Sequence, residues 1–161
     1  MKINQPVTQT EYVLPEGMTI VSRTDLKGRI TYVNADFIEA SGFEEAELIG
    51  KAHNIVRHPD MPEEAFADLW RTLEAGRPWT GLVKNRRKNG DHYWVVANAT
   101  PILEAGRVTG HLSVRTRATR PQVDAATAAL NADPDYLAKV DSSDGLFLPG
   151  SGETRLTRRI G

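Results

Sequence analysis

Trp79-Thr80-Gly81-Leu82-Val83-Lys84-Asn85-Arg86-Arg87-Lys88-Asn89-Gly90-Asp91-His92-Tyr93-Trp94-Val95-Val96-Ala97 reads as two strands joined by a tight turn. The period is two on both sides of Lys88-Asn89-Gly90, and Asn-Gly is a strong hairpin signal because both residues tolerate positive φ. Two registers are open, and they differ in which residues face the core. A three-residue turn with Gly90 at the bulge pairs Asn85 with Tyr93, Val83 with Val95 and Gly81 with Ala97. A two-residue type I′ turn would swap the faces. The first is preferred because it gathers Gly81, Ala97 and Ala99 into a hollow bordered by Trp79, Tyr93 and Asn85. A face reduced to small side chains leaves volume for a ligand. The opposite face then carries Leu82, Trp94 and Val96, which need a cover of their own.

Upstream of the hairpin, Phe66, Leu69, Trp70 and Leu73 follow helical spacing, so a helix is expected from Pro62 to about Ala75. Asp60 with Glu63 resembles a capping box, and Gly76 stops the helix. Ahead of it lies Ala52-His53-Asn54-Ile55-Val56-Arg57-His58-Pro59-Asp60-Met61-Pro62, rich in cationic and hydrogen-bonding groups. Glu44 to Ile49 reads as a short helix, and Asn34 and Gly42 bracket another as N-cap and C′ residue. Thr19 to Thr24 and Arg29 to Val33 form a hairpin about Asp25-Leu26-Lys27-Gly28, with Ile30 and Tyr32 on one side and Thr31 and Val33 on the other. Downstream, Pro101 to Gly106 is read as a turn and Arg107 to Arg117 as the last strand.

The fold class is therefore α+β: a five-stranded antiparallel sheet with short helices on one face. Residues 1–18 form an irregular lead-in, 19–119 the domain, and 120–161 a C-terminal helix and linker. In the last part, Pro121 to Ala132 is helix-like, Asp133 to Gly152 is rich in Asp, Ser, Gly and Pro, and Thr154 to Arg159 is basic.

Composition removes several functions. Twenty Lys and Arg against 21 Asp and Glu leave a net charge of −1, which offers no field for nucleic acid. The chain has no cysteine, hence no disulfide, thiolate metal site or cysteine nucleophile. With neither a signal-like apolar run at Met1 to Gln5 nor any stretch of about 18 apolar residues, it is read as soluble and cytoplasmic, with no membrane segment. His53, His58, His92 and His111 show no metal-ligand spacing. Neither a G-x-S-x-G elbow, a P-loop nor a G-x-G-x-x-G is present, and the paired carboxylates Glu44/Glu45 and Glu63/Glu64 sit at helix starts where the dipole favours them. The chain is not read as an enzyme. Lys84 to Lys88 is basic but divided between two strand faces. Asp60 is explained by capping. Arg57 and His58 lie on no apolar stripe, and burying them beside Trp70 costs free energy unless something pairs with them. These observations lead to a ligand-binding sensor or binding module.

The residues also carry a resemblance. His53 to Pro62, Ala65 to Trp70 and Pro78 to Trp94 look like the PAS domain of bacterial aerotaxis (energy-taxis) receptors, over roughly Thr19 to Thr119. It implies non-covalent FAD between the sheet and the short helices. The matching ligand positions are Asn34, Arg57, His58, Asp60, Trp70, Trp79, Asn85 and Tyr93, with Arg115 added from its expected inward direction. Arg57 and its neighbours would hold the polar part of FAD, Asn85 the flavin ring edge, and aromatic residues would flank the ring. Light-sensing relatives bond the flavin through a cysteine, which this chain lacks. The resemblance implies a HAMP and methyl-accepting signalling partner, in cis if the chain is a sensor fragment and in trans if it stands alone. Two rivals remain: a cofactor-free interaction module forming a homodimer through Leu82, Trp94 and Val96, and a sensor for haem or a small metabolite.

Overall fold

The computed structural model describes residues 5–61 and 63–132; the expectations for Met1 to Asn4 and for the linker at 133–161 lie outside them. Five strands, β1 (Thr19–Asp25), β2 (Ile30–Val33), β3 (Trp79–Arg86), β4 (His92–Glu104) and β5 (Arg107–Arg117), form one antiparallel sheet in the order β2-β1-β5-β4-β3. Helices α1 (Ala35–Ser41), α2 (Glu45–Leu48) and α3 (Glu63–Glu74), with a 3-10 turn at His53–Val56, fill the connection from β2 to β3. Helix α4 (Arg120–Ala132) follows β5.

The β3–β4 register is the one expected from the three-residue turn: Asn85 faces Tyr93, Val83 faces Val95 and Gly81 faces Ala97. Arg87 N donates to Asp91 O at 2.7 Å, and Gly90 takes φ 103°, which closes Lys88-Asn89-Gly90 as the loop. Strand alternation then assigns the faces. Trp79, Tyr93 and Val95 enter the main core with Ile20, Phe37, Leu48 and Met61. Leu82 and Trp94 point the other way and join Ala118, Val123 and Ala126. The cover that Leu82 and Trp94 require is thus supplied within the chain, by α4.

Three local expectations are corrected. Pro101 to Glu104 continue β4, and the turn is only Ala105 and Gly106, at φ 51° and 77°. Pro101 stands beyond Ala99, the last β4 residue paired with β3, so β4 has one neighbour there and tolerates a missing N–H. Where β1 pairs with β2, the register shifts between Arg23 and Thr24, opposite Tyr32 and Ile30, and breaks the alternation of β2: Ile30 and Val33 are both buried, and Tyr32 is exposed. The hollow at Gly81 is filled, because a Cβ there would lie 2.3 Å from the end of the Trp79 ring.

The lead-in runs along the hairpin. Thr8 N donates to Gly90 O at 2.9 Å and Tyr12 N to His92 O at 2.7 Å, while Leu14 and Met18 enter the core. Trp79 in turn anchors to α3, donating Nε1–H to Asp68 Oδ2 at 3.2 Å. The contact between Trp79 and Gly81 makes a sharp prediction. Gly81→Ala forces the indole off its place in a packed core, and destabilisation of about 1–3 kcal/mol is expected, read as a lower urea midpoint at unchanged m-value.

Candidate ligand-binding site

A cavity of about 230 Å³ lies between the sheet, α3 and the 3-10 turn. Its sheet wall is made of short side chains: Val83 on β3, Ala97 and Ala99 on β4, Ser113 on β5. These are the inward positions of the alternating strands, so the register that places Gly90 in the loop also opens this space. Phe66, Leu69, Trp70 and Leu73, the apolar stripe of α3, form the opposite wall. Gly28, at φ 80°, meets Trp70 so closely that a Cβ would lie 3.3 Å from the indole, and beside it the exposed Lys27 also lines the cavity.

Polar groups enter at defined points. Arg115, only 4% exposed, donates from Nη2 to Ser22 Oγ at 2.8 Å and from Nη1 to Ser113 Oγ at 2.8 Å. Its Nη1 is also 3.2 Å from His53 Nε2, and its guanidinium lies 5.0 Å from the Phe37 ring centroid. Among the described residues no carboxylate is paired with Arg115. Burial lowers its pKa to about 10. His53 Nε2 also lies 2.9 Å from Ser22 Oγ. Because the guanidinium can only donate, Nε2 is an acceptor and the ring proton is assigned to Nδ1. Burial, reinforced by the Arg115 charge, pushes the His53 pKa down to about 3.

On the other side, Arg57 follows the 3-10 turn and forms an antiparallel bridge to Asn85 on edge strand β3. Its Nη2 donates to the Met61 carbonyl, and its guanidinium lies 5.7 Å from the Phe66 ring centroid. Asn85 is buried at 4% exposure and hydrogen-bonds the Tyr93 hydroxyl, while burial raises the Tyr93 pKa to about 12. His111, 5% exposed, packs edge-on against Trp70 with ring centroids 5.2 Å apart, its Nδ1 3.4 Å from Thr24 Oγ1. The arrangement is an apolar slot with two buried guanidinium groups and an amide. It can bind a flat, largely apolar ligand with polar, electron-rich edges.

A sheet of this order with its helices between the second and third strands accords with the PAS fold profile, which matches residues 30–115. The chain belongs to the PAS-fold family. It is 53% identical to the aerotaxis receptor of Escherichia coli (strain K12) over 129 residues, 78% of this chain and 26% of the receptor. It is also 25% identical over 146 residues to the nitrogen fixation regulatory protein of Klebsiella pneumoniae, covering 84% of this chain and 30% of that protein. The chain thus spans about a third or less of the length of these relatives. Among solved structures, one described as a flavin analogue in a light-oxygen-voltage domain superposes with TM-score 0.61 at 21% identity, over 73% of this chain and 88% of that one. The light-state structure of the Aureochrome1 light-oxygen-voltage domain gives TM-score 0.62 at 16% identity, over 72% and 91% of the two chains.

Within this PAS domain, the residues expected at the ligand divide into two groups. Arg57, Trp70, Asn85 and Arg115 line the cavity. Asn34, His58, Asp60, Trp79 and Tyr93 do not. Asn34 caps α1, its Oδ1 accepting from Phe37 N and from Val21 N, each at 3.0 Å. Trp79 and Tyr93 are core residues beside the cavity. His58 and Asp60 curl round the edge strand toward Lys84 and His92, whose side chains point to the reverse face. With α3 starting at Glu63, Asp60 stands three residues ahead of the helix, and its Oδ2 accepts from Lys84 Nζ at 2.8 Å. Burial opposes ionisation of Asp60, but Lys84 outweighs it and holds the pKa below the usual carboxylate value. His53, His111 and Ser113 are cavity residues missed in the sequence. The signal for the last two was present, since alternation from Arg115 along β5 selects Ser113 and His111.

The buried histidines set the acid sensitivity of the PAS domain. A histidine whose folded pKa is depressed binds its proton more readily when unfolded, so stability falls as pH drops below about 6.5 toward the folded value. His53 (to about 3) and His58 (to about 4, lowered chiefly by burial and then by Lys84) both act in this window. Urea unfolding between pH 6.5 and 4 is expected to show this loss. His53→Gln is expected to reduce the slope by as much as about 1.4 kcal/mol per pH unit, one proton's worth.

Proposed function

We propose that this PAS domain, residues 19–119, binds FAD non-covalently and reports its redox state to a signalling partner. The observation that carries the reading is Arg115: a buried cation lining an apolar slot, paired among the described residues only with neutral groups. A buried charge without a counter-charge is costly, and an electron-rich ring edge would offset part of that cost. Arg57 and Asn85 would hold other polar edges, and Trp70 and Phe66 would border the ring faces. At about 230 Å³, below the roughly 300–1,000 Å³ of whole drug-sized ligand sites, the cavity suits a ring system better than an entire dinucleotide.

The flavin, when bound, supplies reversible electron uptake. This chain's residues supply the charge environment. Arg57 and Arg115 favour added negative charge, while His53, neutral down to about pH 3 and with its proton on Nδ1, accepts from the Arg115 guanidinium at Nε2. Such a site shifts a signalling equilibrium only insofar as oxidised and reduced ligand interact differently with two conformations. The names of the relatives, an aerotaxis receptor and a nitrogen fixation regulator, support a regulatory role. The partner is inferred to be a HAMP or methyl-accepting type signalling unit, in cis or in trans.

Two observations weigh against specific forms of the rival readings. The Leu82 and Trp94 face is covered by α4. Of the histidines an axial haem ligand would be sought among, His58 is outside the cavity and His53 Nε2 is engaged by Ser22 and Arg115. The test is an absorption spectrum and an FAD titration of the refolded protein. A flavin-type spectrum with one FAD per chain is expected, and Arg115→Met or Asn85→Ala should each weaken binding about tenfold or more. A colourless protein that takes up no flavin when refolded with FAD would sink the reading.

A further inference from the structure

The 57–61 segment crosses the edge of the sheet. Arg57 lies on the cavity side and bridges Asn85, while three residues later the chain has reached the flank where Lys84 emerges. Lys84 follows Val83 and precedes Asn85, so alternation turns its side chain away from the cavity. Its ammonium nevertheless meets Asp60 Oδ2 at 2.8 Å and lies 6.0 Å from the Trp94 ring centroid, and the side chain is only 15% exposed. The loop beyond Arg57 is tightly closed. Asp60 N donates to His58 Nδ1 at 3.0 Å, Met61 N donates to His58 O at 3.0 Å, and the Met61 carbonyl receives the Arg57 guanidinium. Every contact in this series connects the Lys84–Asp60 pair to the orientation of Arg57.

We propose that Lys84 is a positioning residue: by fastening Asp60 on the reverse side of the sheet, it holds the 57–61 loop closed and keeps the Arg57 guanidinium aimed into the cavity. Lys84 touches no ligand in this scheme, and neither do His58 and Asp60. They act through the loop. The geometry suits a latch because its two ends are on rigid elements: Lys84 stands on β3 between residues paired to β4, and Arg57 is bridged to the same strand one residue away. Asp60 is largely exposed, so each contact in the latch is of modest strength.

The proposal rests on the flavin reading for its functional arm and has a second arm that does not. In an FAD titration of the full chain, Lys84→Met and Asp60→Asn are each expected to weaken binding about three- to fivefold. The double variant should be no weaker than either single one, because both remove the same contact. Lys84→Arg should restore near-normal affinity, whereas Lys88→Met, which removes a comparable pair with Glu47 at 2.7 Å, should leave it unchanged. In the flavin-free protein, NMR relaxation of the Arg57 Nε–Hε group should show faster motion in Lys84→Met and normal motion in Lys84→Arg. If the wild type takes no flavin, the cofactor reading fails and this NMR arm still decides the latch. Unchanged Arg57 motion in Lys84→Met, additive losses in the double variant, or failure of Lys84→Arg to rescue would overturn it.

Discussion

A guanidinium almost cut off from water is the constraint around which this PAS domain closes. Arg115 takes one hydroxyl from β1, one from its own strand, an imidazole lone pair from the 3-10 turn, and a ring face from α1. Four elements distant in sequence must therefore arrive together. A buried charge that loses any of these contacts is left with a polar group unsatisfied in a medium of low dielectric, which costs more than the contact gains on average. His53 meets the same demand from the other side. It must stay neutral to accept from Arg115, and burial keeps it so.

The rest of the architecture follows from which face of β3 and β4 looks inward. One face, made of small residues, leaves room beside the Arg115 cluster. The other carries Trp94 and Leu82 and is closed by α4. The sheet is therefore a partition with a polar-ended cavity on one side and a dry apolar contact on the other. Between them at the edge, residues 57–61 are shared by both sides.

Much of this was legible in the chain. Asn89-Gly90 between two alternating runs located the turn and left two registers open, and the small side chains of one face chose between them. The α3 stripe and the Asn34 and Gly42 caps were readable for the same reason: each is a local pattern with a local cause. What escaped depends on where large side chains go once the backbone is placed. No local rule says that the Trp79 ring folds over Gly81, or that the β1–β2 bulge brings Ile30 and Val33 to one side. His58 and Asp60 were grouped with Arg57 because they are adjacent in sequence. At a strand edge, however, three residues suffice to carry the chain from one face of a sheet to the other. The position of Pro101 misled because proline punctuates central strands, and β4 has outrun its β3 neighbour by that point.

The tie between Glu11 and Arg120 has a mechanical meaning. The two carboxylate oxygens of Glu11 each lie 3.1 Å from Arg120 Nη1, and Glu11 also forms a bridge with His92 at the start of β4. The segment that enters the sheet and the helix that leaves it are thus fastened side by side near the turn end of one hairpin. The exposed Glu11–Arg120 pair gives α4 a second, weak connection to that hairpin beside its covalent link through β5.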